Sequence, residues 1–235
     1  MLILALDTSS VTASCALVEN NKTLAESFLN AKITHSATMM PMIENLFRIS
    51  GKDIKDVSLF AAVSGPGSFT GVRIGASILL GLAFGKNVPC VGVSALETTA
   101  APFVNGLFRD KIICPLMDAR RGQFYNALFK NGQRLTKDRA IGAFELSIEL
   151  DNIGLPVIIC GDGASLFFSL VPENSYIKAP DALIYPSASE AAKLASLIYE
   201  NAKDKTVYTD LNFRPVYLRP SQAERIKKEN NKDQT

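Results

Sequence analysis

Residues 2–6 read Leu-Ile-Leu-Ala-Leu and stop at Asp7-Thr8-Ser9-Ser10. An unbroken apolar run of this length, closed by a polar turn, predicts a strand buried on both faces. Thr12 to Val18 predicts a second, partly alternating strand, Asn20-Asn21 a turn, and Thr23 to Phe28 the returning arm of a hairpin. The period then changes. From a cap at Thr34 or Ser36 to about Ser50, apolar residues fall at Met39, Met40, Ile43, Leu46 and Phe47, the i, i+3, i+4 spacing of a helix face. Met42 and Ile49 widen that stripe, Pro41 sits where lost amide bonds matter least, and Gly51 ends the helix. Leu59 to Val63 predicts a buried strand, and a helix over about Val72–Phe84 follows the loop Ser64-Gly65-Pro66-Gly67-Ser68-Phe69-Thr70-Gly71. Val88 to Val93 predicts another strand, and Ser94-Ala95-Leu96-Glu97 has the form of a capping box.

Near Pro102–Gly106 the pattern restarts. Ile112 to Met117 predicts a strand ending in Asp118-Ala119-Arg120-Arg121, and Gln123 to Phe129 a single alternating strand. Asn131-Gly132 predicts a turn and Gln133 to Thr136 a return. Helical character follows around 144–150, then a strand over Val157–Cys160, the turn Gly161-Asp162-Gly163, and a helix to about Leu170. Ser187 to Ala202 predicts an Ala-rich helix with Glu190 at the capping-box position. Both halves thus read β-β-β-α-β-α, and the first strand of each ends in an acidic turn. The expected division is a subdomain over 1–102, a second over 103–220 whose helix 187–202 is free to pack back on the first, and a polar tail over 221–235.

Composition narrows the function classes. Hydrophobic residues make up 47% of the 235 and charged residues 20%, which excludes a disordered chain. Lys+Arg is 25 against Asp+Glu 23, a net charge of +2. That balance argues against tight unaided binding of nucleic acid, which needs a strong positive excess. The basic residues of the second half are interleaved with Asp110, Asp118 and Asp138, the pattern of a solvated surface. The longest uncharged apolar run, Ile74–Phe84, is too short to span a membrane, and the N-terminus has no basic region of a signal peptide. The four cysteines are widely spaced, fitting reduced, buried thiols in a cytoplasmic protein. The apolar excess itself reads two ways, as a well-filled α/β core or as surface reserved for a partner.

Candidate chemistry is sparse. Asp7, with Thr8 and Ser9, ends the first strand where α/β sheets place ligand-handling residues, although a plain polar turn gives the same pattern. The 64–71 loop joins a strand to a helix N-terminus, the geometry that favours anions. Yet it matches neither a P-loop nor GxGxxG, and Pro66 suits a tight structural turn equally well. His35 is the only histidine, and the residue sharing its helix face four positions on is Met39. A polar, capping or packing histidine is expected there rather than a metal ligand, and no nucleophilic serine is placed beside it.

Taken together, several stretches resemble the TsaB (YeaZ) family. They are Ile3-Leu4-Ala5-Leu6-Asp7-Thr8-Ser9, His35-Ser36 with Met40-Pro41, and Gly65-Pro66-Gly67-Ser68-Phe69-Thr70-Gly71-Val72-Arg73-Ile74-Gly75. Ser94-Ala95-Leu96-Glu97, Asp118-Ala119-Arg120 and Pro215-Val216-Tyr217-Leu218-Arg219 complete them. The resemblance implies a duplicated actin-like, ribonuclease H-like (ASKHA) α/β fold of two mixed-sheet subdomains. It implies a non-catalytic scaffold in the transfer of threonylcarbamoyl to the adenosine beside the anticodon, at position 37, of tRNAs reading codons that begin with A. The implied partners are a catalytic TsaD-like subunit and a TsaE-like ATPase, with tRNA met only within the complex. In the catalytic relative two histidines four apart hold a metal; the positions here are His35 and Met39, so no metal is expected. No tightly bound cofactor is expected either, with ATP only at a partner interface or in a vestigial cleft around Asp7, Thr8, Ser9, His35, the loop Gly65, Pro66, Gly67, Ser68, Thr70 and Gly71, then Arg73, Asp118 and Arg120.

The expected partner-binding faces lie on the helices near 36–50 and 71–85: Met39, Met42, Ile43, Leu46 and Phe47 on one, Gly75, Ile78, Leu79 and Leu82 on the other. The small residues Gly71, Gly75, Ala76, Gly81 and Gly85 suit close helix approach. An isologous homodimer through the same face is expected when the chain is alone. The competing readings are an independent ATP-binding ATPase or kinase of the same fold and, remotely, a metallopeptidase-like protein.

Overall fold

The computed structural model describes residues 1–104, 106–172 and 175–219; the polar segment expected over 221–235 lies outside the described residues. The first half contains β1 (Leu2–Asp7), β2 (Ala13–Glu19), β3 (Lys22–Leu29), α1 (His35–Ser50), β4 (Leu59–Gly65), α2 (Phe69–Ala83), β5 (Cys90–Ser94) and α3 (Ala95–Ala100). The sheet order is β3-β2-β1-β4-β5. β2 and β3 are antiparallel additions on one side of β1, whereas β4 and β5 run parallel on the other. Every residue of β1 and β4 is buried, as expected of strands covered on both faces.

The second half repeats this plan with β6 (Ile112–Asp118), β7 (Gln123–Asn126), β8 (Phe129–Lys130), β9 (Gln133–Arg134), β10 (Arg139–Gly142), α4 (Ala143–Ile153), β11 (Val157–Cys160), α5 (Ala164–Leu170), β12 (Ile177–Lys178) and α6 (Ala188–Asn201). Its main order is β10-β7-β6-β11-β12, with β8 and β9 forming a small hairpin beside β6. β7 and β10 are antiparallel additions, and β11 and β12 are parallel ones. Strand order and polarity therefore match position for position. This is the duplicated, two-sheet actin-like arrangement that the motifs implied.

Four elements differ from expectation. The strand expected over Gln123–Phe129 is broken after Asn126, next to Pro115 of β6. Proline has no N–H for the ladder, and the Asn126 side-chain amide instead donates to Pro115 O at 3.2 Å and to Ala127 O at 3.2 Å. The chain resumes as β8, where Phe129 pairs with Ile113. The edge strands β10 and β12 lacked a readable alternation because they are only 4 and 2 residues long. α2 begins at Phe69 rather than near Val72, because Ser68 caps it by accepting a bond from Gly71 N.

Packing joins the two halves. On one face of the first sheet, α1 and α2 bury Met39, Ile43, Leu46 and Leu79 against Leu2, Leu4 and Leu6. On the other, the alanines of α6 pack on Ile3, Ala5, Ala16 and Val18 in a cluster that also holds Ile113, Met117 and Ile158 of the second sheet. Small side chains let α6 sit close to the strands. Phe103, in the 3₁₀ turn Ala101–Phe103 that crosses the expected 102/103 boundary, belongs to the same cluster. Among the described residues no helix is long and apolar enough to cross a membrane.

Candidate functional site: the cleft between the lobes

The central strands β1 and β6 end at Asp7 and Asp118, and β4 and β11 end at glycine turns. The turns that follow these four strands border a cleft of about 520 Å³. Ser9, Ser10 and the 67–70 segment line it from the first lobe. Asp118, Ala119, Arg120, Tyr125 and Asp162 line it from the second, and residues 216–219 run along it.

Asp7 is buried at 2% exposure. Its Oδ1 accepts from Ser9 N at 2.7 Å, while Oδ2 has no protein partner. Burial pushes its carboxyl above the ordinary range, opposed by its hydrogen bonding to Ser9 and by the charge of His35. Asp162 is pushed up to about 6, again chiefly by burial and by the negative Asp118 and Asp7. The Asp118 amide donates to its Oδ1 at 3.3 Å and, with the nearby Val11 amide, works in the opposite direction. Asp162 thus lies on the cleft floor, on the second lobe's side.

The glycine loop is packed against the chain itself. A Cβ on Gly67 would strike Ser9 O, one on Gly71 would strike Thr8 O, and one on Gly65 would strike Val216 O. Ser68 N is used by Ser9 O at 2.7 Å, Gly71 N by the Ser68 hydroxyl at 3.2 Å, and Val72 N by Ser68 O at 2.9 Å. Two of the four amides at this helix start, those of Ser68 and Gly71, are thereby engaged, and the cleft wall carries the carboxylates Asp118 and Asp162 beside the guanidinium groups of Arg120 and Arg219.

His35 enters α1 with Nε2 3.0 Å from Ser10 O and Nδ1 buried without a partner. Met39, one turn further, is 0% exposed in the core. Among the described residues no group of three or more His, Cys, Asp or Glu is arranged to hold a metal ion. The four cysteines are free and buried, and burial raises the Cys15 and Cys90 thiols to about 12 and about 11.

The expected partner faces divide. Met39, Ile43, Leu46 and Leu79 are at most 2% exposed. They belong to the chain's own core and correct the expectation that they face outward. Periodicity identifies one apolar stripe, and here the sheet occupies its centre. Gly75 is corrected likewise: a Cβ there would meet Thr8 Oγ1 at 2.5 Å, so β1's turn, not a helix, fills the space. Gly81 and Gly85 have nothing within 4 Å. Met42, Phe47, Ile78 and Leu82 are half-buried along the edge of the core. What faces solvent is a shallow groove of about 440 Å³ between α1 and α2, walled by Met40, Ile74 and Ile78 with Ser36, Thr70 and Arg73 around it.

Several cleft residues were missed by motif reading. Asp162 lies in a Gly-Asp-Gly turn after β11, the counterpart in the repeat of the Gly65 turn after β4; the duplication was the signal that would have found it. Tyr217 and Phe69 lie 4.9 Å apart with Arg73 over the Phe69 ring. Arg73 Nε also donates to the Tyr217 hydroxyl at 2.9 Å, from 144 positions away in the chain.

Comparison with known proteins agrees with this geometry. Residues 22–225 match the family model described as "TsaD: tRNA N6-adenosine threonylcarbamoyltransferase". The chain is 32% identical to the tRNA threonylcarbamoyladenosine biosynthesis protein TsaB of Bacillus subtilis, over 95% of this chain and 96% of that protein. It is 31% identical to TsaB of Escherichia coli over 95% and 96% of the respective chains. The solved structure of YeaZ from Pseudomonas aeruginosa superposes with a TM-score of 0.77 at 23% identity, covering 92% of this chain and 99% of that one.

Proposed function

The chain belongs to the TsaB (YeaZ) family of tRNA threonylcarbamoyladenosine biosynthesis proteins, and on that premise we propose that it serves the pathway as a non-catalytic subunit that pairs with a TsaD-like catalytic partner. One observation carries the reading. Where the catalytic relative is expected to place a metal-binding histidine pair, this chain has His35 held on Ser10 O and Met39 buried in the core. A buried thioether is a poor ligand for a borderline metal. The groove between α1 and α2 offers the apolar surface for pairing, with Met40, Ile74 and Ile78 supplying it. A second copy of the chain takes this face when no partner is present. A TsaE-like ATPase and the tRNA join only the assembled pair, in the cytoplasm, and any ATP is held at a partner interface. The near-neutral net charge of +2 supports a shared rather than solitary hold on tRNA.

The deciding experiment is depletion of this chain followed by nucleoside analysis of total tRNA, with add-back of the parent chain. Threonylcarbamoyladenosine is expected to fall and recover. An unchanged level overturns the reading.

A further inference from the structure

After α6 the chain returns across the first lobe and then leaves it. Tyr208 O accepts from Cys90 N of β5 at 3.1 Å, and Phe213 is buried in the α1–α2 core. Val216 N donates to Ser64 O at 2.7 Å, at the end of β4. Val216 O sits over Gly65, in space that any Cβ there would fill. The Tyr217 hydroxyl then accepts from Arg73 Nε at 2.9 Å, with its ring beside Phe69. Two residues later the direction changes: Arg219 Nη1 donates to Ala119 O at 2.9 Å, on the second lobe. Residues 216–219 line the cleft between these two attachments.

We propose that residues 213–219 form a latch across the cleft mouth, fixed to the first lobe by Phe213, Val216 and Tyr217, fastened to the second by Arg219, and setting how far the cleft opens. The two lobes share a continuous core on the α6 side, so relative motion is confined to hinging that opens the opposite, cleft side. Among the described residues the Arg219–Ala119 bond crosses that side at the mouth, whereas at the floor Asp162 accepts from Asp118 N, within its own lobe. The mouth link acts at a long lever arm and depends on one side chain. The aromatic and cationic stack of Phe69, Arg73 and Tyr217 holds the latch in register on the first turns of α2. The inference is independent of the partner proposed above, and its test uses the chain without that partner, each labelled chain diluted into an excess of the same chain unlabelled so that only distances within one copy are read.

The test places spin labels at Glu44→Cys on α1 and Glu145→Cys on α4. Both positions are exposed, and the four native thiols are buried. Interspin distances are compared in the parent, in Arg219→Met, which keeps the aliphatic stem and loses the donor, and in Tyr217→Phe, which loses only the hydroxyl. The distribution is expected to broaden and move to longer distance in Arg219→Met and, less so, in Tyr217→Phe, with unchanged far-ultraviolet circular dichroism. Distributions that superpose on the parent overturn the latch. If Arg219→Met does not fold, Tyr217→Phe decides by the same criterion.

Discussion

The Thr8 hydroxyl donates a 2.7 Å hydrogen bond to Gly71 O, while the Gly71 backbone lies so close to Thr8 O that no side chain fits between them. The first turn of α2 is thereby fastened to the end of β1. Gly71→Ala must push two backbones apart and is expected to cost about 3 kcal/mol or more. Gly81→Ala, in the same helix with open space around it, is expected to stabilise by about 0.5–1 kcal/mol through helix propensity. Chemical denaturation of both variants checks the contrast; equal effects would refute the packing assigned to Gly71.

Two residues of α1 that one stripe places together are expected to behave oppositely. Leu46 is 0% exposed and Met40 is 38% exposed. Leu46→Glu buries a charge without a partner and is expected to cost about 4 kcal/mol or more, so that any loss of pairing follows from unfolding. Met40→Glu is expected to stay within about 0.5 kcal/mol of the parent and yet weaken co-purification with a TsaD-like partner. A Met40→Glu chain that pairs at full strength removes the α1–α2 groove as the docking face.

The raised Asp162 carboxyl gives stability a definite pH dependence. Its folded value is about 6 against an ordinary value of 3.8, so the folded chain holds the proton more tightly than the unfolded one. The associated stability is fully present below 3.8 and is lost as pH rises through about 6. Asp162→Asn keeps an acceptor for the Asp118 amide without the charge. It is expected to flatten this slope between pH 4 and 6 and to raise stability at pH 7 by on the order of 1 kcal/mol. Urea midpoints measured at several pH values settle the point, and a slope unchanged in the variant counts against the assignment.

Glu26 of the edge strand β3 caps α6 from outside the helix. Its Oε1 accepts from the Ser187 hydroxyl at 2.6 Å and from Ser189 N at 3.1 Å. Glu26→Ala is expected to cost about 1–2 kcal/mol and to speed amide exchange in the first turn of α6 more than in α1. Uniform exchange in both helices would argue that Glu26 only decorates the surface.

Much of the scaffold was legible because its signals are local. The run Leu2–Leu6, the stripe on α1 and the Ala-rich α6 each announce their element by period alone. The repeat of β-β-β-α-β-α predicted two matching sheets, and the strand orders agree. The Gln123–Phe129 strand failed for a reason not contained in it: the ladder partner Pro115 has no N–H to give. Within the candidate site, Asp7 and Asp118 were legible as strand-end acids. Asp162 was not, since a Gly-Asp-Gly turn becomes a cleft residue only when a second lobe closes over it.

The amino-acid sequence by itself determined the element types, the duplication and the family, because these follow from residue periodicity and from motifs read in order along the chain. Only the tertiary structure decided which side of each apolar stripe meets the sheet, which glycines are crowded by backbone, and that the Gly65–Gly75 and Pro215–Arg219 motifs pack together beside the cleft. Those outcomes depend on what packs against a residue from far away in the chain. Periodicity defines a face, and the fold supplies its occupant.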